Sequence, residues 1–230
     1  MTTGSSLHQF VFGIYPYIAL TIFLLGSLAR FEREQYTWKS DSSQLLHRGQ
    51  LRLGNILFHI GIIGLFFGHM AGLLTPVVVW DTLGVSHSLK QMVAMVAGGV
   101  MGGLCLIGLL ILIHRRLTDP RIAHATRPGD KILLLWILVT LLLGLSTIVL
   151  SAGHMDGEMM VHLMTWAQHI VTFQGDAASY IAGVPLLFKA HLFMGLTLFV
   201  IFPFTRLVHV WSGFASIGYL GRAWQLVRPR

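Results

Sequence analysis

Cysteine and charge are what this chain has least of. A single cysteine, Cys105, stands among 230 residues. No internal disulfide can form, and an iron–sulfur cluster, which takes about four thiolates, cannot be built from this chain alone. There is no Cys-x-x-Cys-His run, so a haem could not be attached covalently. Charged residues make up 11% of the chain, against about 25% in soluble domains, while 54% are hydrophobic. Glu32, Glu34, Asp41, Asp81, Asp119, Asp130, Asp156, Glu158 and Asp176 all fall outside the long apolar runs. These deficits describe an integral membrane protein. The net charge of +7 would suit a nucleic-acid binder, but its placement follows membrane topology, and no nucleic-acid partner is expected.

Five runs reach the roughly 20 apolar residues needed to span a bilayer: about Phe10–Ala29, Gly54–Thr75, Met92–Ile113, Ile132–Leu150 and Val184–Val208. The first lacks a preceding Lys or Arg and a small-residue cleavage site, so it reads as a retained helix, not a signal peptide. Arg30, Arg33, Lys39, Arg48 and Arg52 follow span one. Arg115, Arg116, Arg121, Arg127 and Lys131 follow span three, and Arg206, Arg222, Arg228 and Arg230 close the chain. Only Lys90 and Lys189 fall on the other side. The positive-inside rule then puts the N-terminus outside and the tail 209–230 in the cytoplasm. The expectation is an all-α, five-helix transmembrane bundle forming one domain over residues 1–230.

Spans one and four carry no interior histidine or charge and read as scaffold. Pro16 is a candidate kink, which membrane helices tolerate. Gly61, Gly64, Gly68 and Gly72 in span two, and Gly98/Gly102 and Gly99/Gly103 in span three, form small-residue stripes suited to close helix packing. Between spans four and five, Met159, Met160, Leu163, Met164, Ala167, Ile170 and Val171 recur at helical spacing. Glu158, His162, Thr165 and Gln168 take the other face. This predicts an amphipathic helix at the outer interface, either covering the bundle end or acting as a lid over a lipid-soluble substrate.

Of the twelve histidines, His8, His47, His87, His124, His154, His162 and His169 lie in loops or at the interface and are expected to be solvated. His114 ends span three beside Arg115 and Arg116. Four remain in or at the ends of spans: His59 and His69 in span two, His191 and His209 in span five. A buried histidine is costly in hydrocarbon and marks a functional site when it has a partner. By depth, His59 pairs with His209 on the cytoplasmic side and His69 with His191 on the outer side. Each pair offers two ligands, short of the four of a tetrahedral zinc site. A porphyrin supplies the other four, so two non-covalent b-type haems fit best. The spacings are unequal. His191 and His209 are about 27 Å apart along an ideal helix, whereas His59 and His69 are about 15 Å apart and about 80° off a common face. Helix tilt, or a bend near Phe202-Pro203, must absorb the difference.

The motifs IYPYIA (Ile14–Ala19), QYTW (Gln35–Trp38), LFHIGIIGLFFGH (Leu57–His69), LTP (Leu74–Pro76), HMDG (His154–Gly157), WAQ with VTF (Trp166–Phe173) and FPFTRLVHVWS (Phe202–Ser212) resemble the gamma-subunit family of respiratory nitrate reductases, membrane cytochromes b. The resemblance covers nearly the whole chain. It implies an inner haem on His59 and His209, an outer haem on His69 and His191, and Gly68 and Lys90 beside the outer haem and a quinol site. Lys90 alone also reads as a donor to a quinol oxygen, a partner of a haem propionate, or a snorkelling lysine. Arg52, Arg115, Arg116 and Arg206 are placed to meet inner-haem propionates or anionic lipid.

The family further implies anaerobic electron transport in the bacterial inner membrane. Quinol oxidised outside would release two protons there. Its electrons would pass inward through both haems to an iron–sulfur (beta) subunit and a molybdenum (alpha) subunit that reduces nitrate. Moving one charge against 100 mV is worth about 2.3 kcal/mol, so this path conserves energy. Two other readings stand beside it: a homologous di-haem quinone-interacting subunit of another reductase, as in dissimilatory sulfur metabolism, and a histidine-relay proton transporter. The lack of embedded Asp or Glu speaks against the transporter.

Overall fold

The computed structural model describes residues 6–34 and 48–211, and among them all regular structure is helical. The Gln35–Trp38 motif and the tail beyond Trp211 lie outside the described residues. Ser6–Gln9, Phe10–Ile14 and Tyr15–Glu34 run together as helix α1. Then come α2 (Arg48–Leu74), α3 (His87–Thr118), α4 (Pro128–Ala152), α5 (Glu158–Val171) and α6 (Leu186–Ile201). All but α5 carry a stretch long and apolar enough to cross a membrane. Five spans were expected and five are found. The first four overrun their apolar runs at the ends. Ser86 Oγ accepts the Leu89 N–H at the start of α3, and Pro128 opens α4. The fifth differs at its end: the α-helix stops at Ile201, not Val208.

Pro16 is accommodated without a break. It has no N–H and its ring crowds the carbonyl of Phe12, four residues back. The chain responds with a π-turn over Phe10–Ile14, closed by the Tyr15 N–H on the Phe10 carbonyl. Trp166 Nε1–H, from α5, donates to the Phe12 carbonyl at 2.9 Å.

Glycine seats α2 on α3. A Cβ on Gly61 would come within 2.6 Å of Cys105 Cβ, one on Gly64 within 2.6 Å of Met101 Sδ, and one on Gly108 within 2.7 Å of the Gly54 carbonyl oxygen. The stripe in α2 thus divides by face, since a Cβ on Gly68 or Gly72 would meet nothing within 4 Å. α3 packs on α4, and α6 lies against α4 and α1. Trp136 of α4 donates to the Met194 carbonyl, and the Tyr15 and Thr197 hydroxyls are hydrogen-bonded at 2.9 Å. α2 and α6 face each other with little direct helix packing.

α5 lies across the end of the bundle that carries Ser6, burying Met164, Trp166, Ala167 and Ile170. Gln168, expected on the polar face, instead caps α2 by donating to the Leu73 and Thr75 carbonyls. His8 and His169 are likewise not merely solvated. His8 Nε2 is 2.8 Å from the Ala178 carbonyl, and His169 pairs with Asp176 at 2.7 Å and stacks edge-on against Tyr180. The opposite end gathers Arg30, Arg115, Arg116, Arg206 and Asp130, and is called the basic end below.

Candidate functional site

The four histidines from the spans come together as two pairs. His69 and His191 have ring centroids 6.0 Å apart with planes at 47°. His59 and His209, toward the basic end, have centroids 6.1 Å apart with planes at 66°. The pairing expected from depth is the pairing found.

Each imidazole is held by one nitrogen. In α2 the rings fold back on the preceding turn, as helical side chains do. His59 Nδ1 lies 2.8 Å from the Asn55 carbonyl and His69 Nδ1 2.7 Å from that of Leu65. His209 Nδ1 bonds the Arg206 carbonyl. His191 reaches across to α4, where Nδ1 is 3.0 Å from the Thr140 carbonyl. A carbonyl oxygen only accepts, so Nδ1 carries the proton in all four and Nε2 keeps its lone pair. That is the tautomer a metal-ligating histidine needs, set by its second-shell partner.

α4, read above as scaffold, proves part of the site. A Cβ on Gly144 would sit 2.8 Å from His191 Cε1. Thr140 lies four residues earlier, one turn down the same face. The bare backbone of Gly144 therefore lets the imidazole settle onto the Thr140 carbonyl. A lone glycine inside the apolar run ILVTLLLGLSTIVL was the available signal.

The unequal spacings resolve at the end of α6. After Ile201 the chain makes a 3-10 turn at Phe202–Phe204, an extended residue at Thr205 and a second 3-10 turn at Arg206–Val208. His209 is thus delivered by a bent segment, not by the fifth turn of a straight helix. The bend expected at Phe202-Pro203 is there.

The donor sets fit a porphyrin iron. Two metal–imidazole bonds of about 2 Å plus the ring radii span about 6 Å, so the 6.0 and 6.1 Å between ring centroids would let each pair hold one metal ion between its imidazoles. Among the described residues no three or more His, Cys, Asp or Glu side chains gather in one place. Neither pair therefore has the further protein ligands that tetrahedral zinc takes.

Gly68 presents an open backbone face one residue before His69. Lys90 is not a snorkelling residue: it is 7% exposed. Its ammonium contacts Met164 Sδ and lies 4.6 Å from the Trp80 ring centroid, in a small cavity that His87 and Met160 also line. Neither contact joins it to the His69–His191 pair. Arg206 is ion-paired with Asp130 at the first turn of α4.

A sequence profile described as nitrate reductase gamma subunit matches residues 8–230. The chain is 47% identical over 224 residues to the respiratory nitrate reductase 1 gamma chain of Escherichia coli K12, covering 97% of this chain and 98% of that one. It is 46% identical, with the same coverage, to the respiratory nitrate reductase 2 gamma chain of the same organism. The nitrate reductase gamma chain of Bacillus subtilis is 38% identical over 222 residues, 96% of this chain and 98% of its own.

Proposed function

The chain belongs to the nitrate reductase gamma subunit family, and from that premise we propose that it is the quinol-oxidising, di-haem b membrane subunit of a respiratory nitrate reductase. The observation that carries this reading is the state of the four histidines. Within each of the two pairs the rings stand about 6 Å apart, every Nδ1 is committed to a backbone carbonyl, and every Nε2 is left to ligate. When bound, two b haems supply one-electron carriers between a quinol and an iron–sulfur partner.

This chain's residues do the rest. His59 and His209 ligate at the basic end, and His69 and His191 at the other. The basic end faces the cytoplasm, as the positive-inside rule requires, and docks the iron–sulfur subunit that serves a molybdenum subunit. Quinol meets the protein at the opposite end, where Gly68 leaves the flank of His69 open and Lys90 offers a hydrogen-bond donor. Oxidation there releases two protons outside the bacterial inner membrane. A proton relay through the same histidines is disfavoured, because a relay needs both ring nitrogens to exchange partners, and Nδ1 is tied in all four.

The test is a reduced-minus-oxidised optical spectrum of the purified complex with haem quantification. The expected result is a b-type spectrum, two haems per chain, and reduction by quinol. Fully assembled protein without b-type absorption would overturn the reading.

A further inference from the structure

α1 carries no ligand, yet one stripe on it governs the bent segment that delivers His209. Phe23, Gly26 and Arg30, at helical positions i, i+3 and i+7, share a face. The Phe23 ring packs against Phe199, Phe202 and Trp211 at centroid distances of 5.1, 4.8 and 5.5 Å. Gly26 takes the Pro203 ring, which a Cβ would meet at 2.8 Å. One turn on, Arg30 Nη1 donates to the Pro203 carbonyl at 2.7 Å and the Thr205 carbonyl at 2.8 Å. Where an α-helix stops, its last carbonyls lose their partners and must find others. Past the break the carbonyls of Pro203 and Thr205, two and four residues beyond Ile201, also need donors, and a single guanidinium nitrogen answers both. Asp130 holds the same segment from α4 through Arg206, whose carbonyl in turn receives His209 Nδ1.

We propose that Arg30 is a positioning residue for the inner haem: by clamping the Pro203 and Thr205 carbonyls it fixes the bend after α6 and so the angle and reach of the His209 imidazole. This rests on the haem reading above. It assigns Arg30 more than a share of the topology-setting charge. A guanidinium fixed by two backbone acceptors sets geometry, whereas a topological charge needs only to be positive. Both hydrogen bonds of Arg30 Nη1 go to main-chain carbonyls of the bent segment, so it acts through the backbone.

The test uses the assembled complex in membranes with R30M, which keeps side-chain length and removes the donors, and R30K, which keeps the charge. Haem content is measured together with the low-temperature EPR signatures of the two ferric low-spin haems, which report the angle between axial imidazole planes. For R30M the inner-haem signal is expected to shift and that haem to be retained about 10-fold more weakly, the scale of losing a second-shell partner. The outer-haem signal stays unchanged and R30K recovers part of the loss. Unchanged signals for both haems, or equal loss of both, would overturn the proposal. A second measurement does not need haem. In protein made with haem synthesis blocked, R30M is expected to speed protease cleavage between Phe202 and Trp211 relative to the unsubstituted chain. Equal rates would count against the clamp. Absence of b haem from the unsubstituted complex would instead remove the parent reading, so the two failures are told apart.

Discussion

At the scale of single residues, the site depends on atoms that carry no side-chain identity. The acceptors on Asn55, Leu65, Thr140 and Arg206 are main-chain carbonyls, which every residue type supplies equally. Their choice follows from where the backbone lies. Gly144 makes the point testable. Replacing it by alanine places a methyl 2.8 Å from His191 Cε1, against a ring whose other side faces His69. The imidazole cannot stay on the Thr140 carbonyl. The expected result for G144A is outer-haem affinity weaker by about 10-fold or more, with the inner haem intact. Separate quantification of the two haems by redox-poised spectra checks this, and equal occupancy of both would contradict it.

At the scale of elements, the proline in α1 and the tryptophan in α5 form one unit. Pro16 frees the Phe12 carbonyl and Trp166 claims it, so a helix on the end of the bundle is pinned to a defect in a spanning helix. Replacing Trp166 by phenylalanine leaves that buried acceptor without its donor, a cost of about 1–3 kcal/mol. In a P16A background the restored N–H can serve Phe12, and the cost of W166F should fall by about 1 kcal/mol. A double-mutant cycle on thermal unfolding in detergent reads this coupling, and strict additivity would show that the two are independent.

The same elements show how much the sequence made legible. The five spans were readable because length and apolarity are properties of composition. The histidine pairing followed from depth, which alternates with every crossing. The stop at Ile201 was only half legible: Pro203 announced a bend, but not two 3-10 turns, and nothing in the sequence ties Arg30 to their carbonyls. Gln168 was misplaced because periodicity cannot tell a polar face that meets water from one that meets a neighbouring helix end. Of the readings open for Lys90, snorkelling alone is removed, since this lysine near a helix start is buried and does not reach water.

At the scale of the whole molecule, the helices form an open series, with α2 on α3, α3 on α4, α4 on α6 and α6 on α1. The two histidine-bearing helices are also the ones least enclosed by protein. Only 6% of the apolar stretch of α2 and 11% of that of α6 is buried, against 22% in α1, α3 and α4. Glycine contacts tie α2 closely to α3, yet little protein packing ties α2 to α6. A ligand that both helices grip would supply the missing cross-tie and stabilise the bundle by mass action.

Removing haem should therefore loosen the α2–α6 relation while leaving α2–α3 unchanged. Spin labels can report this through cysteines placed at exposed Ile63 on α2, Phe193 on α6 and Leu110 on α3, because the native Cys105 is fully buried. The expected outcome on haem depletion is a broadened Ile63–Phe193 distance distribution and an unaltered Ile63–Leu110 distribution. Broadening of both would mean that haem supports the whole fold. Broadening of neither would mean that protein contacts alone set the distance between the paired histidines, and that haem enters a frame already fixed.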